Sequence, residues 1–171
     1  MFTAAVHVPG AIDPRAVEAL ADSLSALVAG VAAGIVGDAV IVSADPTDRE
    51  IALVAESTGA AAAARGRDPW AAAAALARRP WLLCLEAGDV PAEGWIRALD
   101  RFGATAPPGT LGRLARPHAP LLDRLAARCE ALTGTHRVRA GDVVRVEALL
   151  AGRPGGRRLP VRPLRARLSR G

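Results

Sequence analysis

The sequence predicts an α/β protein with a mainly parallel sheet and helices on both of its faces. Two patterns lead there. Short apolar runs alternate along the chain with Ala-rich or amphipathic stretches of helix length, and the clearest run, Trp81–Leu85, carries no polar alternation. Unbroken apolar strands are what a sheet covered on both faces requires, and alternation with helices is the pattern of strand-helix-strand units.

The chain has 171 residues, enough for one domain with its own core. Hydrophobic residues make up 51% but aromatics only 3%, so Ala, Val, Leu and Ile must build that core. Net charge is +5 and the sequence pI about 11.0, yet every basic residue is Arg, and Lys, Asn, Gln and Tyr are absent. Without Lys there is no Walker-type phosphate loop and no lysine Schiff base. Cys84 and Cys129 lie far apart, which supports neither a zinc site nor a redox pair and suits a reduced, cytoplasmic setting. Leu24–Gly37 is uncharged but too short to span a bilayer, and no basic region precedes the first apolar stretch as in a secretory signal.

In order, Phe2–Val8 reads as a buried strand, and Asp13-Pro14 supplies an N-cap and first-turn proline for a helix to about Gly30. Ala39–Val42 is a second strand, and Ser43–Asp48 opens a helix over Asp48–Thr58. Gly59–Ala64 is a weak third strand, because alanine is a poor strand former. Asp68-Pro69 caps an Ala-rich helix to Arg79, Trp81–Leu85 follows as a strand, and Pro91 opens a helix through Phe102. Residues 104–113, rich in Pro, Gly and Thr, read as a linker. Helices are expected from Pro120 to Leu132 and from Asp142 to Leu150, with a late strand at Arg158–Val161. Residues 1–152 therefore form the α/β domain, and 153–171 an Arg-rich strand and tail with no acidic residue after Glu147.

In open parallel sheets ligands bind beyond the carboxyl ends of the strands, which places the acidic loops Ser43–Asp48 and Glu86–Asp89 at the expected site. No G-x-G-x-x-G follows the first strand and no G-x-S-x-G elbow occurs, so dinucleotide binding and a serine hydrolase lose their usual support.

Several landmarks occur in a distinctive order: Phe2–Pro9, Val40-Ile41-Val42-Ser43-Ala44-Asp45-Pro46-Thr47-Asp48, Arg65-Gly66-Arg67, Trp81-Leu82-Leu83-Cys84-Leu85-Glu86-Ala87-Gly88-Asp89, and Gly94-Trp95. This order resembles glycosyltransferase family 2, whose second strand ends in a pattern like V-V-D-G-G-S-T-D and whose fourth ends in L-F-L-H-A-D-T. The resemblance covers roughly the first hundred residues. It implies the A-type nucleotide-diphospho-sugar fold and a hexosyl-type transferase. Pro9, Ser43, Asp45, Asp48 and Arg67 would bind the nucleotide-sugar, and Glu86 and Asp89 a Mg²⁺ or Mn²⁺ ion acting as Lewis acid on the diphosphate. Asp142, with Glu147 second, would be the base that deprotonates an acceptor. The acceptors of such enzymes are often lipid-linked. This chain departs from the pattern in three places: Ser43 stands where the family has Asp, the metal-binding Asp position falls on Gly88, and Gly10-Ala11-Ile12-Asp13 replaces the Asn-Glu after the first strand.

Plainer explanations stand beside these. Asp45 and Asp48 lie at a helix start, where acids cap free N–H groups, and Glu86 and Asp89 precede Pro91 in the same way. Trp81 and Trp95 read as core residues and Cys84 as a small hydrophobe, while His7, His118 and His136 share no metal-site spacing and receive no role. The Arg-rich tail suits anionic lipid at the inner membrane face, which makes a catalytically silent scaffold module the rival function. Nucleic acid is the weaker partner, since no aromatics interleave with the arginines.

Overall fold

The computed structural model describes residues 1–151 and 158–171. Arg153 and Arg157, and with them the expected boundary between domain and tail, lie outside the described residues. The elements run β1 (Phe2–His7), α1 (Pro14–Ala32), β2 (Val36–Ser43), α2 (Arg49–Thr58), β3 (Ala61–Ala64), α3 (Pro69–Leu76), β4 (Trp81–Glu86), β5 (Asp89–Pro91), α4 (Trp95–Thr105), β6 (Leu111–Ala115), α5 (Leu121–Thr133), β7 (Asp142–Arg145), α6 (Val146–Leu150) and β8 (Val161–Arg170).

The strands form one eight-stranded sheet, ordered β3-β2-β1-β4-β7-β6-β8-β5 and curled into a half-barrel. Its first four strands are mutually parallel. β7 then runs antiparallel to both β4 and β6, β8 is parallel to β6, and β5 is antiparallel to β8. The sheet is thus mixed rather than uniformly parallel, because β7 and β5 run against the other six strands.

Alternation along the strands sorts the core into two layers. Ala4, Val6, Ile41, Leu83 and Leu85 face Leu20, Leu24 and Leu27 of α1, Ile51 of α2, and Trp95, Leu99 and Phe102 of α4. Ala5, Val40, Val42, Leu82 and Cys84 face Trp70 and Ala73 of α3, with Ala148 and Leu149 of α6 packed alongside. Helices therefore cover both faces.

The helix starts are set locally. Asp13 accepts from the Ala16 N–H at 2.8 Å, and Asp68 from Trp70 N at 3.0 Å, each just ahead of a first-turn proline. α4 has no side-chain cap, so packing must hold it. Full burial of Leu99 and Phe102, at about 2 kcal/mol each, outweighs the roughly 1 kcal/mol a cap supplies.

Four expectations require correction. The helix expected from Pro91 starts at Trp95, because residues 89–91 pair with Leu168–Arg170 as β5. The linker shrinks to residues 106–110, since Leu111–Ala115 is β6. Asp142–Arg145 is a strand, not the start of a helix: its β-branched pair Val143-Val144 lies between β4 and β6, and the helix begins only at Val146. The late strand runs over Val161–Arg170 rather than Arg158–Val161, so the arginine-rich end is a strand of the sheet. Among the described residues, no helix is long and apolar enough to cross a membrane.

Candidate functional site at the carboxyl ends of the parallel strands

β1, β2 and β4 end side by side. His7 pairs with Val42 on one side and Glu86 on the other, and the Arg65 N–H after β3 donates to the Ser43 carbonyl at 2.8 Å. Two buried polar atoms at this edge have no hydrogen-bond partner, His7 Nε2 and Ser43 Oγ. Buried polar groups are nearly always satisfied, and leaving one bare costs about 1–3 kcal/mol, so such a pair calls for a reason. The His7 ring meets Trp70 edge-to-face at 5.9 Å. Burial holds the His7 imidazole below its ordinary 6.5; nearby Glu86 pulls it up and Arg65 pushes it further down. His7 is therefore a neutral imidazole at neutral pH.

In the loop after β2 the carboxylates turn inward. Asp45 accepts from the Thr47 hydroxyl at 2.6 Å and the Thr47 N–H at 2.8 Å, and these bonds hold its carboxyl below the usual range. Asp48 caps α2 by accepting from Glu50 N at 2.9 Å and Ile51 N at 3.3 Å. Pro9 and Arg67 are exposed just beyond the strand ends.

The loop after β4 is built differently. Gly88, at φ +90, makes a turn that a side chain would strain, and its N–H donates to Ser23 Oγ on α1. The turn carries Asp89 back beneath Glu86, where it accepts from the Glu86 N–H at 2.9 Å. Glu86 and Asp89 do converge, but on a guanidinium. Arg116 Nη2 donates to Glu86 Oε2 at 2.6 Å and to Asp89 Oδ1 at 3.0 Å, while His118 Nε2 lies 2.9 Å from the same Asp89 oxygen. Although burial disfavours its charge, the two carboxylates keep Arg116 firmly protonated.

As arranged, these donors do not fit a divalent cation. The position between the two carboxylates is filled by Arg116, and no group of three or more His, Cys, Asp or Glu among the described residues is disposed to hold a metal.

Asp142 belongs to a separate cluster. It is fully buried, both its oxygens are taken by Arg113 Nε at 2.6 Å and Nη2 at 2.8 Å, and the Arg139 N–H adds a third bond. Glu130 bridges Arg113 and Arg139 at 2.6 and 3.0 Å. Burial pushes the Asp142 carboxyl up to about 6, against the pull of Arg113. A general base needs a lone pair facing its substrate, and Asp142, fully buried with three bonds already accepted, presents none to the surface. Glu147 is exposed on α6. Cys84 is buried, its thiol pushed well up by burial, so it is inert packing.

His7, Arg65, Arg116 and His118 take part in this edge, although sequence reasoning assigned a role to none of them. His7 was findable as the last residue of an apolar strand. Arg116 and His118 were not, because they follow β6, which reads as linker.

No protein-family model matches this chain, and a search of curated proteins finds no match. What fold and geometry define is an α/β protein with two buried, unpartnered polar atoms at the carboxyl ends of its adjacent parallel strands.

Proposed function

We propose that this protein is glycosyltransferase-like and binds a nucleotide-diphosphate sugar at the carboxyl ends of β1, β2 and β4. The observation that carries the reading is that both faces of the sheet end in a buried, unpartnered polar atom at its ligand edge, His7 Nε2 on the α3 face and Ser43 Oγ on the α1 and α2 face. A ligand lying across the strand ends would meet the two with different groups. Arg65 and Arg67, which make no ion pair among the described residues, supply positive charge for the diphosphate. The parallel quartet β3-β2-β1-β4 is the frame an A-type nucleotide-sugar fold needs, and the resemblance along the first hundred residues supports it.

In this reading no metal step is assigned, because Arg116 stands between Glu86 and Asp89. The acceptor, lipid-linked or other, is unassigned. A second reading, donor binding without transfer in a scaffold role, is favoured by one specific observation: the candidate base Asp142 is sealed against Arg113.

Calorimetric titration with several nucleotide-sugars, in EDTA and again with Mn²⁺, tests binding. The expected result is binding in EDTA that Mn²⁺ does not strengthen. Ser43→Ala should be at least as stable as the parent, since it removes a bare buried hydroxyl, yet bind about tenfold more weakly. No heat and no thermal shift with any donor would overturn the proposal.

A further inference from the structure

A second surface, separate from the strand ends, centres on α5. None of its side chains is buried. Leu122, Leu125, Cys129 and Leu132 recur at helical spacing and form one stripe, with Leu121 beside it. The four leucines are 47 to 90% exposed, although this chain buries most of its large aliphatic residues elsewhere. Under the helix lies a recess of about 430 Å³ whose walls include Leu114, Ala127, Ala131, Val161 and Leu164. The leucine stripe lies on the other side of α5 from the residues that line this recess, and an apolar stripe of this kind on a water-exposed helix marks an interaction site.

Its border is cationic. Arg124 and Arg128, one turn apart on α5, line the recess and make no ion pair among the described residues, whereas Arg113, Arg116 and Arg139 close by are all neutralised by carboxylates. Pro163 and Leu164 of β8 separate this recess from a second one of about 600 Å³. That one gathers Arg97 and Arg101 of α4 with Arg162 and Arg165 of β8, again without an ion pair among the described residues. Among the described residues, the one side-chain hydrogen bond these four make is from Arg162 to the Thr105 hydroxyl.

We propose that this face, the leucine stripe of α5 with the arginines around it, docks on an anionic lipid bilayer. Leucines inserting among acyl chains, beside guanidinium groups placed to meet phosphates, is the composition of an interfacial helix. Nucleic acid would need stacking platforms. Phe2, Trp70, Trp81, Trp95 and Phe102, all the aromatic residues of the Phe, Trp and Tyr classes in the chain, are buried. The inference is independent of the donor-binding reading.

Sedimentation of the full chain with phosphatidylcholine vesicles, with and without about one-third phosphatidylglycerol, tests it. Binding is expected only with phosphatidylglycerol, and high salt should weaken it. Arg124→Gln with Arg128→Gln should weaken it at least tenfold, at about fivefold per arginine. Leu122→Ser with Leu125→Ser should also cost at least tenfold. Both pairs are exposed, and unchanged far-UV circular dichroism would confirm that each variant folds. Equal binding to neutral vesicles, no binding to anionic ones, or full retention by the leucine variant would overturn the proposal. So would tighter binding to a single-stranded oligonucleotide, or to an acidic protein, than to anionic vesicles.

Discussion

Arg113 and Arg116 lie three positions apart, and each holds two carboxylates, but in different settings. Around Arg113 the centre is closed: Asp142 has no exposure and Arg113 has 11%, while Glu130 and Arg139 form the outer part of a ring of charge in which every charged group has an ion-pair partner. Around Arg116 the cluster opens outward, with Glu86 at 30% and His118 at 22%, and it adjoins the strand end where His7 has an unsatisfied nitrogen. A sealed cluster fixes the join of β6 to β7. An open one beside bare polar atoms is where a ligand has something to gain.

The largest expected effect separates them by stability. Arg113→Ala leaves Asp142 buried without its bidentate partner and should cost about 3–5 kcal/mol in urea unfolding. Arg116→Ala should cost roughly 2 kcal/mol, because Glu86 can turn to water and Asp89 keeps His118 and the Glu86 N–H. Equal losses would remove the distinction between sealed and open.

The next effect sets the two regions against each other in pH. Asp142 has its carboxyl raised from 3.8 to about 6, so between those values the folded state holds a proton that the unfolded chain has released. Its contribution is fully present below pH 3.8 and is lost as pH rises through about 6. His7 is depressed below 6.5, so its contribution is present above 6.5 and is lost as pH falls through the lowered value. Urea midpoints measured across this range should show Asp142→Asn and His7→Gln changing the slope in opposite senses. His7 is only half-buried, and its change should be the smaller.

The same contrast explains what was legible in the sequence. The parallel half was readable because β1, β2 and the weaker β3 are each closed by a cap signal, Asp13-Pro14, Asp48 or Asp68-Pro69, and β4 is an unbroken apolar run, and local signals of that kind need no knowledge of partners. The second half was not. Leu111–Ala115 carries Gly and Arg in a five-residue strand, and it becomes one only by pairing with β7 and β8. In β8 the alternation of Leu164, Ala166 and Leu168 with Arg165, Arg167 and Ser169 was present, but the density of charge obscured it. The candidate loops were found by position. Their arginine partner was hidden because it follows a strand that the linker composition concealed. Asp142 was named as a base through the family resemblance alone, which carries no information about Arg113 on the neighbouring strand.

The smallest effect concerns the loop after β2, where capping and ligand binding make the same residue look important. Asp48 accepts from the Glu50 and Ile51 N–H groups, so Asp48→Ala should lower stability by about 1 kcal/mol whether or not a nucleoside ever touches it. Asp48→Ser keeps a side-chain oxygen at the cap and should lose only a few tenths. A thermal melt ranks the three proteins by capping alone. A donor titration on the same samples separates the roles: if Asp48 only caps, the Ser variant binds like the parent, whereas a nucleoside contact made by the carboxylate leaves Ser as stable as the parent and about tenfold weaker in binding. The first outcome would take Asp48 out of ligand recognition at this edge and leave it the role its hydrogen bonds already show, that of a helix cap.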